Sequence, residues 1–400
     1  MIKKAVIRDY RSCLETDVEL HPELTVLIGA NGVGKSNILQ ALDLLSKIEQ
    51  TRRIEAELVD TADGYYHSNI VLDVVLEQKR KYITDLSIIY TEENTNGEES
   101  IKIADVKYAK EQPNLDYRFL DFNAFSHSSM IRMINKSNWS ALDELKKEKF
   151  EEELPIIDSF RNISYYNVAQ FVGAKKCPPS VELSPFGHSI KDSSAKSHAS
   201  FIRDLYSYSL NYKHIYSQYI SIVGIEGLNL IEDIKFDVTQ IPIQSTGFRK
   251  NGEKDNRANK FIITLSLKVD GIYLLPNQLS DGTFRTLALI FYMLSDKNDL
   301  LLIEEPESLV HHGLLSSIIE LIKQESKRKQ IVVSTHSDLV VDKIKPENIV
   351  LVKKDKEKGT LAEPLTKKLS KNEYEALKEY LETEGNLGEY WLETGLEYEV

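Results

Sequence analysis

The residues best suited to chemistry fall in four short clusters. The first is Gly29-Ala30-Asn31-Gly32-Val33-Gly34-Lys35-Ser36, followed by Asn37, and it matches G-x-x-x-x-G-K-[ST] at every fixed position. Glycines let the backbone curl around a phosphate so that successive N–H groups point at its oxygens. Lys35 can reach the outer phosphates, and the Ser36 hydroxyl is placed to coordinate Mg²⁺. The second cluster, Glu304-Glu305-Pro306-Glu307, closes the apolar run Leu300 to Ile303. Of two adjacent carboxylates at a strand's end, one can hold Mg²⁺ while the next activates an attacking water. Glu307 has a turn-shaping role as its simpler reading. The third cluster, Ser334-Thr335-His336-Ser337, closes another apolar run. There His336 can hydrogen-bond a terminal phosphate or the water, because a parallel sheet places its ligand at such strand ends. The fourth is Leu279-Ser280-Asp281-Gly282-Thr283, just before an almost wholly apolar stretch. Taken locally it has two readings, a simple helix cap or a set of N–H groups and a hydroxyl offered to phosphate.

Regular elements must hold these clusters. Val26 to Ile28 reads as a buried strand feeding the glycine loop, and Ile38, Leu39, Ala41, Leu42, Leu45 and Ile48 recur at helical spacing after it. Residues 2–8 and 14–20 read as strands around Arg8-Asp9-Tyr10-Arg11-Ser12. Residues 70–121 carry β-branched and aromatic runs, with Thr95-Asn96-Gly97 as a hairpin signal, and read as an antiparallel layer. Residues 128–153 read as a solvated helix, and 161–172 as a strand that ends near Gln170. Pro178-Pro179 and the serine-rich stretch to Ser200 mark a linker. A helix over Phe201 to Val223 follows, whose tyrosines pack on the body rather than stack on bases, since isoleucine and leucine share the stripe. Residues 236–275 return to strand with a tight turn at Asp270-Gly271. From Leu279 onward strands and helices alternate, the pattern of a mostly parallel sheet. Ser370-Lys371-Asn372-Glu373 is a capping box for a last helix, which Gly385 ends.

The 400 residues suffice for a large core, and 42% hydrophobic with 28% charged residues is an ordinary globular balance. No apolar run is long enough to cross a bilayer and the N-terminus lacks a signal-peptide core, so the expectation is a cytoplasmic protein. Cys13 and Cys177 are the only cysteines and read as buried small hydrophobes. A net charge of -12 argues against global attraction to DNA, leaves room for a local basic groove, and favours a protein partner.

Taken in order, the glycine loop, Leu-Ser-Asp-Gly, apolar-Glu-Glu and Ser-Thr-His resemble ABC-type ATPases. The closer likeness is to the RecF, OLD and SMC-like branch, whose recurring features include an opening like Asp9-Tyr10-Arg11-Ser12 and Glu-Glu-Pro-Glu followed by a histidine, here His311. The resemblance covers residues 1–50 and 275–353. It implies an α/β fold: a P-loop ABC-type ATPase head with an antiparallel β-layer and an inserted helical region. The expected division is 1–175 and 236–400 for the two parts of the head, with 176–235 inserted.

By the same resemblance the cofactors are ATP and Mg²⁺. Asn31, Gly32, Gly34, Lys35, Ser36 and Asn37 hold the nucleotide, with Arg11 touching it. Ser36, Glu304 and Gln170 hold the metal; for Gln170, other residues of this variable region remain open. Glu305 is the catalytic base, His336 the switch histidine, and Ser280 and Gly282 meet ATP bound to the opposite subunit. The chain departs from the pattern in having Glu304 where Asp is commoner, and Asp281 and Thr283 where transporter relatives have Gly and Gln. The Toprim domain of OLD-type nucleases is not expected here. The tail from Gly385 to Gly395 resembles stand-alone ATPases of bacterial anti-phage systems, such as the PtuA-like and AriA-like groups. The expected protein is therefore a homodimer or higher oligomer closing around ATP, acting as sensor for an effector nuclease or toxin supplied in trans. A RecF-like ATPase of DNA repair or DNA ends is the alternative, and no membrane partner is expected.

Overall fold

The structure is a computed structural model. It describes residues 1–47, 54–55, 69–77, 83–95, 98–110, 118–119, 163–167, 173–183, 197–241, 260–295, 298–309, 312–383 and 385–388. The strands are β1 (Ile2–Tyr10), β2 (Cys13–Glu19), β3 (Leu24–Ile28), β4 (Ile54–Glu55), β5 (Asn69–Glu77), β6 (Ile83–Thr95), β7 (Glu98–Lys110), β8 (Arg118–Phe119) and β9 (Ile163–Tyr166). They continue as β10 (Val181–Leu183), β11 (Asp233–Ile241), β12 (Lys260–Val269), β13 (Ile272–Leu274), β14 (Leu300–Glu304), β15 (Gln330–Thr335), β16 (Ile349–Asp355) and β17 (Gly359–Pro364). The longer helices are α1 (Lys35–Leu44), α2 (His198–Asn211), α3 (Lys213–Val223), α4 (Asp281–Ser295), α5 (His312–Ser326) and α6 (Lys371–Thr383).

The chain divides into two compact units. The first comprises residues 1–166, 297–306 and 319–400 and is built on one sheet, ordered β4-β7-β6-β5-β1-β2-β17-β16-β3-β15-β14-β9 with β8 against β7. Its one half is parallel: β16, β3, β15, β14 and β9 run side by side in one direction. Parallel strands are covered on both faces, which explains why β3, β15 and nearly all of β14 are buried and are built around apolar runs. The other half is antiparallel, through β17, β2, β1, β5, β6 and β7. The expected β-layer is thus a continuation of the main sheet. Thr95 sits opposite Glu98, the register of a two-residue hairpin.

Alternation decides which face of the parallel half meets α1. Leu27, Ile163, Leu300, Leu302, Val332, Val350 and Val352 join Ile38, Leu39 and Leu42 of α1 in one core. Residues two further along the same strands, namely Tyr165, Glu304 and Ser334, therefore share that face at its C-terminal edge. Burying each such Leu, Ile or Val stabilises the fold by about 1.5–3 kcal/mol, so this core fixes the strand ends firmly.

The second unit comprises residues 167–296 and 307–318. It carries a smaller antiparallel sheet in which β12 is flanked by β10 and β11, with β13 returning from it. Asp270 (φ 49°) and Gly271 (φ 79°) make that return, as a two-residue hairpin requires. The expected helix over 201–223 is two helices, because Tyr212 leaves helical geometry at φ -129°, ψ 54°. Hydrophobic periodicity runs through such a one-residue break and does not register it. Phe201, Leu205 and Tyr219 are fully buried, and the Tyr219 hydroxyl donates to the Leu287 carbonyl at 3.3 Å. Packing, as expected, is what this stripe does. Both cysteines are free and buried. Burial pushes the Cys13 thiol up to about 11 and the Cys177 thiol up to about 12. The solvated helix expected at 128–153, Gln170, His311 and most of the tail lie outside the described residues.

Candidate nucleotide site at the sheet's C-terminal edge

β3 runs straight into the glycine loop, and α1 begins at Lys35. Gly34 has φ 105°, a left-handed conformation that suits glycine, and a side chain there would lie 2.0 Å from the Thr360 hydroxyl. At Gly29 a side chain would strike the Val352 carbonyl at 2.1 Å. The loop is thus pressed against β16 and β17. Thr360 fastens it: its Oγ1 donates to the Val33 carbonyl at 2.9 Å and lies 2.7 Å from Ser12 Oγ. The Asn37 amide donates to Ser12 Oγ at 2.6 Å, so Asn37 ties the helix start to the β1–β2 turn.

Lys35 is only 5% exposed. Its ammonium donates to the Gly29 carbonyl at 2.7 Å and the Ala30 carbonyl at 2.8 Å, as a buried charge demands. Arg11, at φ 53°, donates to Gln40 Oε1 on α1.

The strands beside the loop end in register. Glu304 pairs with Ser334, and Ser334 with Leu27. Past β14, the Glu305 N–H donates to the Ser334 carbonyl at 2.9 Å and the residue adopts φ 41°. A left-handed glutamate costs about 1–3 kcal/mol, strain of a kind that gathers at functional sites. His336 Nδ1 lies 3.4 Å from Glu305 Oε1. The two residues expected to act on the water are therefore side by side. Tyr165 donates its hydroxyl to Glu304 Oε2 at 2.6 Å. Ser334 Oγ is buried with no hydrogen-bond partner among the described residues.

The donors gathered here are hydroxyl and carboxylate oxygens, which suit a hard cation such as Mg²⁺. Among the described residues no three carboxylate, histidine or cysteine side chains converge. Mg²⁺ characteristically takes one or two carboxylates together with substrate phosphates, so the set fits a metal that arrives with a nucleotide.

The fourth cluster belongs to the second unit. Ser280 Oγ accepts the Thr283 N–H at 3.1 Å, the cap that its sequence allowed. The Asp281 carboxylate accepts the Ala174 N–H at 2.7 Å, which ties down the turn at Ala174–Lys176. The departure from glycine at position 281 thus has a local structural use. A side chain at Gly282 would meet nothing within 4 Å.

The loop's strand, the two acids and the histidine, expected to act together, meet at one sheet edge. Their supports, Ser12, Gln40, Tyr165 and Thr360, are not among the expected site residues. Only Gly359-Thr360, a glycine turn entering a strand, carried a local signal; the other three are ordinary polar residues until the sheet aligns them.

The parallel sheet with a glycine loop at its C-terminal edge, continued by an antiparallel layer, is the fold of an ABC-type ATPase head. An SMC head bound to the C-winged helix domain of ScpA has the same fold, at a TM-score of 0.54 and 12% identity, covering 92% of this chain and 99% of that one. Residues 24–342 match the family described as AAA domain, putative AbiEii toxin, Type IV TA system, and the chain belongs to it. Shorter similarities are to DNA replication and repair protein RecF. The Synechocystis protein is 41% identical over 51 residues and the Arthrobacter protein 37% over 51. Each alignment spans 13% of this chain and 13% of the relative. No described helix is long and apolar enough to cross a membrane.

Proposed function

We propose that this protein is an Mg²⁺-dependent ATPase whose heads close in pairs around ATP and control an effector, a nuclease or toxin supplied in trans. The observation that carries this reading is the 3.4 Å approach of His336 to Glu305, beside the glycine loop's strand. In it, the loop N–H groups of Asn31 to Gly34, Lys35 and Asn37 bind the phosphates, and Arg11 contacts the nucleotide. Ser36, Glu304 and Gln170 hold the metal, which supplies charge neutralisation at the phosphates when bound. Glu305 takes the proton from the attacking water, and His336 orients that pair. Ser280 and Gly282 complete the site of the facing subunit. A family description that names a putative toxin of a type IV toxin–antitoxin system supports a setting in such conflict systems. The local RecF similarity equally supports a DNA-repair role. Salt-sensitive DNA binding that stimulates ATPase activity would favour repair; effector control without it favours the switch.

Glu305→Gln keeps the shape of the site but removes the base. Hydrolysis should slow by about 10²–10⁴ while ATP stays bound and the closed dimer accumulates. Sizing chromatography with ATP and Mg²⁺ reads the second outcome. An unchanged hydrolysis rate would move the base to another residue.

A further inference from the structure

The carboxylate at position 304 is a glutamate, one methylene longer than the aspartate commoner at this place, and a longer side chain has more positions to choose from. Its surroundings remove that freedom. The Tyr165 hydroxyl donates to Glu304 Oε2 at 2.6 Å from the neighbouring strand β9, where Tyr165 pairs with Leu302. Both residues sit on the α1 side of the sheet, so the contact follows from strand alternation. An ordinary phenol stays protonated at neutral pH, so the Tyr165 hydroxyl is the donor in this pair. Gln40, on α1, accepts from Arg11 through its Oε1 and lies beside the same phenol. Arg11 thus donates to Gln40, and Tyr165 donates to Glu304. A short hydrogen bond to a charged carboxylate oxygen holds that oxygen in one place.

We propose that Tyr165, backed by Gln40, is a positioning residue that fixes one oxygen of Glu304 and leaves the other directed to the metal. The long carboxylate and the tyrosine then form a unit, in which the tyrosine supplies the definition that a shorter acid has by itself. The inference rests on the reading of Glu304 as the metal carboxylate.

The test uses the full chain, a fluorescent non-hydrolysable ATP analogue, and Mn²⁺ as the metal probe. Analogue binding is titrated with Mn²⁺, and again in the presence of a chelator. Tyr165→Phe should raise the half-saturating Mn²⁺ about tenfold, the order expected for a lost hydrogen bond to a charged acceptor, with metal-free binding unchanged. Gln40→Leu, a partly exposed position, should give about a threefold rise by loosening the tyrosine. Glu304→Asp should weaken the metal on its own, and Tyr165→Phe added to it should cost little more, since the shortened acid no longer reaches the phenol. An unchanged or lowered Mn²⁺ requirement in Tyr165→Phe overturns the proposal. So does an equal loss with and without metal, which marks a merely structural role, or full additivity with Glu304→Asp. Glu304→Gln separates the two levels: if it leaves the Mn²⁺ profile unchanged, the assignment of Glu304 to the metal fails, and the inference with it.

Discussion

Lys35 illustrates what the site requires of a single residue. Its ammonium is buried and satisfied by two carbonyls of its own loop, so it is held at the strand end by partners that a phosphate can outbid. A charge-assisted contact to phosphate is about twice as strong as a neutral hydrogen bond. Lys35→Ala should therefore reduce nucleotide affinity by on the order of 10² or more, because the outer phosphates lose their main point charge. Titration with a fluorescent ATP analogue measures this, and wild-type affinity would remove the phosphate role. Glu305 shows the opposite economy at the same scale, a left-handed backbone held by the Ser334 carbonyl so that its side chain meets His336.

Among the elements, the β16–β17 hairpin is as much a part of the site as the loop it holds. Thr360 fills the space a side chain at Gly34 would need, and it bonds Val33 and Ser12 at once. Gly32 and Gly34 both have positive φ, at 82° and 105°, but a side chain at Gly32 meets nothing within 4 Å. Alanine should therefore separate the two. Gly32→Ala should cost only backbone strain, about 1–2 kcal/mol. Gly34→Ala adds a collision with the hairpin, so it should lower the melting temperature by a further ~4 °C or more and abolish nucleotide binding. Calorimetric melting and the same titration check both, and equal behaviour of the two variants would deny the hairpin its role as clamp.

For the whole molecule, one chain carries one glycine loop and one Leu-Ser-Asp-Gly cluster. In the closed pair proposed above, symmetry gives two sites, each made from the loop of one subunit and the Ser280 cluster of the other. A ligand bound across an interface stabilises that interface by mass action, which would make ATP the signal for assembly. Ser280→Arg puts a bulky cation at a partly open helix start and should abolish hydrolysis with little loss of nucleotide binding to single subunits. Mixing it with Lys35→Ala sharpens the outcome. A mixed pair holds one site with both lesions and one with neither, so partial ATPase activity should return. No recovery in demonstrated mixed pairs would mean that the two sites are obligately coupled or that the pair does not close in this way. A crosslink between position 280 and the loop distinguishes those.

Much of this protein is local in origin and so was present in the chain itself. The glycine loop between a buried strand and an amphipathic helix, the acids after Leu300 to Ile303 and the histidine after Ile331 to Val333 each depend on neighbours within a few residues. Strands β1, β2, β14, β15 and β16 and the capping box at Ser370, whose amide meets Glu373 at 2.7 Å, follow the same logic. What only the tertiary structure decided is lateral. Thr360 lies 327 residues from the Val33 carbonyl it bonds, and Tyr165 lies 139 from Glu304. No periodicity or propensity encodes such distances. They appear when parallel pairing sets β9, β14, β15 and β3 in register, and alternation then turns Tyr165, Glu304 and Ser334 to one face. The chemistry-bearing residues can be read from the chain because their types are rare and their spacing is strict. Their supports are a serine, a threonine, a glutamine and a tyrosine of common type, and only the sheet gives them a function.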